Sequence, residues 1–475
     1  MWKALASSRG RRIAMKGQRV WKPKISKERP LYRSILSALR DDLANGRLTG
    51  GERLPTHREL AQQLGVTIGT ITKVFTEAER DGLVVSRVGR GTYVLEFPEN
   101  IAASDSDPQE VIDLSINTVT IEPFNNTLNR IFGALSRRKS LHGLLEYHPV
   151  PGLHRHRVAG AQWMQLRGMT ANPDNVIVCN GAQEALMATL ATVTRPGGTI
   201  LTESLNYAGL RRLADLFRLD IRGVPCDQHG MRPDALKDAA KGAKVSAILC
   251  SPTLHNPTNT TMPLARRKEI LRIATKLDAV IIENDSYGHI SDSTIPTISA
   301  LDSERCIYIC STSKSIAPGL RIGFLSGPSS IMPSLSNGVH GTSWTSPSLM
   351  GEVAAMLIES GMAQNFLVWH RKEAAERTKL AREILRDVDI GLDAPTYHIW
   401  MNLPAPWRAS EFVGEVRSHG TLISPADHFA VDRNATPHAI RISLGCVASR
   451  DRLVEGLKTI KSTLEARPMH MRAVV

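Results

Sequence analysis

Ser311-Thr312-Ser313-Lys314, followed seven residues later by Arg321, is the stretch on which the reading of this chain turns. It follows Cys306-Ile307-Tyr308-Ile309-Cys310, a short continuous apolar run of the kind that forms a buried strand. A lysine is thus expected where a β-strand runs out, beside serine hydroxyls and shortly before an arginine. The hydroxyls and the guanidinium can hold a phosphate, which leaves the lysine amine free to attack a carbonyl.

Outward from this stretch the pattern repeats. From Val111 onward, strand-like runs at 176–179, 199–201, 247–249, 279–282 and 306–310 alternate with helical ones. That alternation predicts an α/β unit with a mainly parallel sheet, whose ligands gather at the carboxyl ends of its strands. Candidate groups fall at those ends. Cys179-Asn180-Gly181-Ala182-Gln183 reads as strand, glycine turn and helix start, where the free amides of Ala182 and Gln183 suit a phosphate. Tyr207 can stack on a flat ring, Asn256 can hydrogen-bond a phenolic oxygen, and 283–287 places Asn284, Asp285 and Tyr287 at one strand end. Arg441 and Ser443 alternate onto one face, and Arg441 can pair bidentately with a carboxylate. A lysine nucleophile, a phosphate cradle and a stacking ring together suit pyridoxal 5′-phosphate, carried as a Schiff base.

The order and spacing of these groups resemble the fold-type I aminotransferases of class I/II over roughly residues 111–465. The resemblance implies that Lys314 carries the cofactor, and that Ser311, Ser313 and Arg321 hold its phosphate with the Ala182 and Gln183 amides. It further implies that Tyr207 stacks on the pyridine, that Asn256 and Tyr287 bind the 3′-oxygen, and that Arg441 takes a substrate α-carboxylate. Tyr147, within 146–153, matches the family tyrosine that reaches the partner subunit's phosphate, which implies a homodimer with shared sites. One position departs from the pattern. The family has an aspartate three residues before the tyrosine, against the pyridine nitrogen, and here that position is Asn284. Either Asp285 shifts into the role, or the pocket holds the cofactor and transaminates weakly.

The first hundred residues read differently. Leu31, Ile35, Leu36, Leu39 and Leu43 recur at helical spacing, and Gly46 supplies a stop. Thr56 with Glu59 three residues on forms a capping box that opens a second helix, Gly65 ends it, and Thr67 caps a third. A helix, a tight turn and a further helix is the geometry that lays the last helix in a DNA major groove. Residues 84–94 alternate around a Gly89–Gly91 turn and read as a two-stranded wing. Arg58, Thr67, Thr70, Thr72 and Lys73, with Arg87 and Arg90 on the wing, are the candidate DNA contacts. This stretch resembles the winged helix-turn-helix of the GntR superfamily of bacterial repressors.

The net charge of +13 is uneven, because residues 1–30 hold ten lysines and arginines against the single acid Glu28. Residues 1–29 are therefore expected to be a basic, disordered arm that adds phosphate attraction, or in part a start codon placed before Met15. Residues 30–96 form the DNA-binding domain, 97–110 a polar, proline-bounded linker, and 111–475 the aminotransferase-like domain. Six scattered cysteines without a CxxC pair suit a reducing cytoplasm and argue against a disulfide framework or metal site. No apolar run reaches the length of a membrane span.

A GntR-type reader joined to an aminotransferase-like domain resembles the MocR regulators. That architecture implies a transcription regulator in which pyridoxal 5′-phosphate, alone or as an adduct with a small amino compound, controls binding to a double-stranded DNA operator. The alternative is a working aminotransferase with an appended DNA-binding domain.

Overall fold

A computed structural model describes residues 21–23, 25, 30–81, 83–87, 91–95, 111–120, 124–391, 394–432 and 436–466. It divides into two compact units, Met1–Pro108 and Gln109–Val475. The expected linker and most of the basic arm lie outside the described residues.

In the smaller unit, α1 (Leu31–Ala44), α2 (His57–Leu64) and α3 (Ile68–Arg80) precede an antiparallel hairpin of β1 (Val84–Arg87) and β2 (Gly91–Val94). The capping box forms as the sequence predicts: Thr56 Oγ1 accepts from the Glu59 amide and the Glu59 carboxylate accepts from the Thr56 amide. Gly65 closes α2 at φ 64°, a left-handed conformation that costs glycine little. The chain thereby reverses before Thr67 caps α3 by accepting from Thr70 N. Ile35 and Leu39 of α1, Leu60 of α2 and Ile71, Val74 and Phe75 of α3 bury their side chains in one core.

Trp21, within the stretch expected to be a basic arm, joins that core at 6% exposure. Its indole N–H donates to Asp42 Oδ2 at 2.8 Å, and Arg47 Nε donates to the other carboxylate oxygen at 2.6 Å. The anchor pairs residues 21 apart in sequence, so no local periodicity announces it.

The larger unit is built on a seven-stranded sheet. Its strands are β3 (Val176–Cys179), β4 (Thr199–Glu203), β5 (Asp220–Val224), β6 (Val245–Cys250), β7 (Val280–Asn284), β8 (Cys306–Ser311) and β9 (Gly323–Ser326). The order across the sheet is β3-β9-β8-β7-β6-β4-β5. β9 runs antiparallel to both neighbours, and the remaining pairs are parallel. Helices cover both faces, so the central strands read as largely apolar runs, whereas the edge strand Asp220–Val224 carries Asp220 and Arg222 and is only half-buried. Along β3, Val176 and Val178 pack into one cluster while Ile177 and Cys179 pack into another, as alternation requires. A second, three-stranded antiparallel sheet combines β10 (His398–Asn402), β11 (Ser424–Pro425) and β12 (Ala439–Ser443), in the order β10-β12-β11. It delivers Arg441 to the site.

Candidate functional site

At the carboxyl ends of the parallel strands lies a cavity of about 660 Å³. It brings together Ala182, Gln183, Tyr207, Asn256, Asn284, Tyr287, Ser311, Ser313, Lys314, Arg321 and Arg441, which the sequence scatters over some 260 positions.

One end of the cavity is a cradle of hydroxyls, amides and a guanidinium. β8 stops at Ser311, whose hydroxyl donates to Ser313 Oγ at 3.0 Å and accepts from the Ser313 amide at 3.1 Å. Arg321 takes a left-handed φ of 53°, and its Nη2 donates to Asn180 O at 3.2 Å. Two glycines allow this close approach. A Cβ on Gly181 would lie 2.8 Å from Arg321 Nη2, and one on Gly323 would lie 2.7 Å from the Gly181 carbonyl carbon. Between them starts α4 (Ala182–Val193), which has no side-chain cap, so its first amides point unspent into the cradle.

Lys314 stands beside the cradle and donates from Nζ to the Asn117 carbonyl. Burial, reinforced by the Arg441 and Arg321 charges, lowers its pKa to about 8. Burial pushes the Tyr287 phenol upward, so it remains a hydrogen-bond donor near neutral pH. Asn256 Oδ1 accepts from Arg441 Nη1 at 3.0 Å, which leaves the Asn256 amide hydrogens for another acceptor. Arg441 is 6% exposed, donates also to Ser115 O at 2.5 Å, and lies 4.6 Å over the Phe429 ring. Its buried Nε has no protein partner. Tyr207 is 41% exposed and folds back over Gly209, where a Cβ would sit 2.3 Å from the tyrosine ring.

The strand end at 283–287 resolves by alternation. Successive side chains of a strand point to opposite faces, so Asn284 and Asp285 cannot both face the cavity. Asn284 lines it, and its Oδ1 accepts from Ser286 Oγ at 2.6 Å. Asp285 is fully buried away from the cavity, where Oδ2 accepts from Arg167 Nε at 2.9 Å and from the Tyr308 hydroxyl at 2.7 Å. Asp285 is therefore not brought to the site. Tyr147 also lies outside the cavity, 84% exposed and 6.0 Å from the Trp344 ring. Ser115, Asn117, Arg212, Ser251, Ser286, Ser424, His428 and Phe429 line the cavity without having been anticipated. Arg212 comes from the helix Ala208–Phe217, and most of the others come from connecting segments or strand ends.

In the smaller unit, Arg58 and Lys73 stand exposed, and Lys73 Nζ lies 4.2 Å over the Tyr32 ring. Thr67 Oγ1 and Thr70 Oγ1 pair at 2.9 Å, and Thr72 Oγ1 donates to Ile68 O at 3.0 Å. Those three hydroxyls are thus engaged within the helix. Arg87 ends β1, and Arg90 lies outside the described residues. Among the described residues, no helix is long and apolar enough to cross a membrane, and no group of three or more His, Cys, Asp or Glu is placed to hold a metal ion.

The donor set fits a phosphorylated pyridine aldehyde. It offers a cradle shaped by glycines, a nearby amine of lowered pKa, an orphaned arginine Nε and a stacking phenol. Comparison with known proteins agrees with this division of the chain. The family model Aminotransferase class I and II matches residues 109–460, and the model Bacterial regulatory proteins, gntR family, matches residues 31–94. Over 452 residues the chain is 27% identical to the HTH-type transcriptional regulator YdeF of Bacillus subtilis, covering 94% of this chain and 97% of that one. It is 27% identical over 416 residues to the vitamin B6 salvage pathway transcriptional repressor PtsJ of Salmonella typhimurium, covering 86% and 93%. Among solved structures, the kynurenine aminotransferase of Pyrococcus horikoshii shares the fold at a TM-score of 0.70 and 24% identity, over 75% of this chain and 91% of that one.

Proposed function

The chain belongs to the aminotransferase class I and II family and carries a gntR-family unit ahead of it, and from that premise we propose a transcription regulator whose operator binding is controlled by pyridoxal 5′-phosphate held on Lys314. The observation that carries this reading is the company Lys314 keeps. Its amine, lowered to about 8, sits in one cavity with Arg321 and Arg441, while the strand end offers Asn284 in place of a carboxylate.

Pyridoxal 5′-phosphate, when bound, supplies an aldehyde for covalent capture of amines and an electron-withdrawing ring. The residues divide the remaining work. Ser311, Ser313, Arg321 and the first amides of α4 hold the phosphate, and Tyr207 covers one ring face. The free amide hydrogens of Asn256 and the protonated Tyr287 hydroxyl donate to the ring oxygen. Arg441 receives the carboxylate of an amino acid effector, and no Asp or Glu among the described lining residues competes with it. Asn284 carries no charge and cannot hold a proton on the ring nitrogen, so the pocket retains an adduct better than it turns one over. The exposed Tyr147 and Trp344 suit a second copy of the chain. Such a homodimer would complete the phosphate site through Tyr147 and present two third helices to paired half-sites in the cytoplasm. An effector controls DNA binding only to the extent that it binds the two conformational states with different affinity.

The rival, a working aminotransferase, is favoured by the lowered Lys314 amine, which suits turnover as well as capture. Two measurements separate the readings. Loaded protein should absorb near 420 nm, and Lys314→Ala should lose that band on dialysis; a band that survives refutes the lysine assignment. Promoter DNA from upstream of the protein's own gene should shift in affinity when pyridoxal 5′-phosphate and amino acids are added. Rapid conversion to pyridoxamine phosphate, with no change in DNA affinity, would favour the enzyme.

A further inference from the structure

The start of α3 presents an unusual surface for a helix read as entering a groove. Ile68, its first residue, is 50% exposed, and it is the one large apolar side chain so exposed among the described residues of the smaller unit. The polar groups around it are occupied. Thr72 directs its hydroxyl hydrogen to the Ile68 carbonyl, and its oxygen also lies 3.2 Å from His57 Nδ1. Thr67 and Thr70 share a hydroxyl hydrogen at 2.9 Å, and Thr67 Oγ1 also accepts the Thr70 amide. Gly69 follows with no side chain, and a Cβ built there would meet only Thr67 Oγ1, at 3.9 Å. A surface facing the helix at this point can approach closely and meets a branched hydrocarbon rather than a hydrogen-bond donor.

Resting on the reading of this unit as a DNA reader, we propose that Ile68 recognises the 5-methyl group of a thymine in each operator half-site. In the major groove the thymine methyl is the apolar mark that separates T·A from the other base pairs. The first residues of the third helix in this motif are the ones that reach base edges. The exposed sec-butyl group gains by leaving water against that methyl, whereas cytosine, which lacks the methyl, and the polar edges of guanine and adenine give it nothing. Lys73, five residues further along α3 and exposed, is placed to meet phosphate, which fixes position without reading sequence.

Uracil differs from thymine only by this methyl, so the test removes the proposed contact and nothing else. Duplexes recovered from a random library by the full-length protein are remade with single thymine-to-uracil replacements. One replacement in each half-site should weaken wild-type binding by about 3- to 10-fold. Ile68→Ala should bind the thymine duplex that much more weakly and no longer distinguish thymine from uracil there. Because Ile68 is half exposed, the variant should keep wild-type melting and wild-type binding to non-specific DNA at low salt. The proposal is overturned if no replacement affects the wild type, or if Ile68→Ala keeps the same thymine preference. Recovery of no duplex at all would instead remove the DNA-reader assignment on which the proposal rests.

Discussion

An exposed arginine–aspartate pair in the smaller unit and a buried one in the larger show how burial changes what a charge pair does. Arg40 and Asp81 in the smaller unit meet at 2.5 Å with side chains 54% and 27% exposed. Arg167 and Asp285 in the larger unit meet at 2.9 Å with side chains 4% and 0% exposed. The longer contact is the one on which the fold depends. Water screens the first pair whether or not it forms, whereas the second has side-chain hydrogen bonds only to Tyr308, Thr253 and the Ser293 carbonyl besides its own, with the buried charges of Glu283 and Arg267 nearby. The same contrast runs through function. The smaller unit holds its candidate DNA contacts largely on an exposed helix, where substitution should spare the fold. The larger unit sets most of its cavity-lining groups against a buried polar framework.

The largest effect should come from the buried pair. Asp285→Ala leaves the Arg167 guanidinium without its counter-charge in a dry site and should destabilise the larger unit by about 3–5 kcal/mol. Asn284→Asp, one residue earlier but facing the cavity, should cost far less. Calorimetric unfolding of the full chain would measure both. A loss under about 1 kcal/mol for Asp285→Ala would remove the distinction drawn from burial.

Next in size is the protonation of Lys314. Its pKa falls from 10.5 to about 8 in the fold, because burial and the Arg441 and Arg321 charges disfavour the ammonium. The sign is fixed: a lowered lysine pKa yields more free amine at a given pH. At pH 7 about one molecule in ten carries the free amine, against roughly one in three thousand for an unperturbed lysine. The rate at which cofactor-free protein captures pyridoxal 5′-phosphate, followed by absorbance, should rise about tenfold per pH unit up to about 8 and then level. Arg441→Gln removes a neighbouring positive charge and should move the midpoint to higher pH. A rate that keeps rising to pH 10 in the wild type would contradict the shift.

These sites were unequally legible in the sequence. The reader was legible because its signals are local: Thr56 and Glu59 cap α2 from three residues apart, and Gly65 ends it. Most of the residues that line the cavity were legible through the order of their motifs along the chain. What escaped was long-range or depended on facing. Trp21 is tied to Asp42 by a contact no window contains. Asn117 holds the Lys314 amine through a backbone carbonyl, which no side-chain pattern can mark. The choice between Asn284 and Asp285 rested on strand phase, which the structure fixes through the Arg167 and Tyr308 contacts. Thr67, Thr70 and Thr72 were read as DNA contacts from their place at the start of the third helix, and no sequence pattern shows that their hydroxyls also bond one another, the Ile68 carbonyl and His57.

A smaller effect tests the local side of the contrast. Thr56→Ala removes the side chain that accepts the Glu59 amide and leaves the Glu59 carboxylate with half of a reciprocal pair. The loss should be about 1 kcal/mol, confined to the unfolding of the smaller unit. A change in the melting of the larger unit would show that the units do not unfold separately.

The smallest effect should come from the exposed pair. Arg40→Ala and Asp81→Ala, singly and together, form a double-mutant cycle whose coupling should be about 0.2–1 kcal/mol. Salt at 1 M shortens the screening length to about 3 Å and should shrink that coupling further. The same cycle at Arg167 and Asp285 should give a several-fold larger coupling that salt barely alters, because bulk ions do not enter a buried site. If the exposed pair couples as strongly as the buried one, or resists salt equally, then the short Arg40–Asp81 contact outweighs its exposure and burial is not what separates the two pairs.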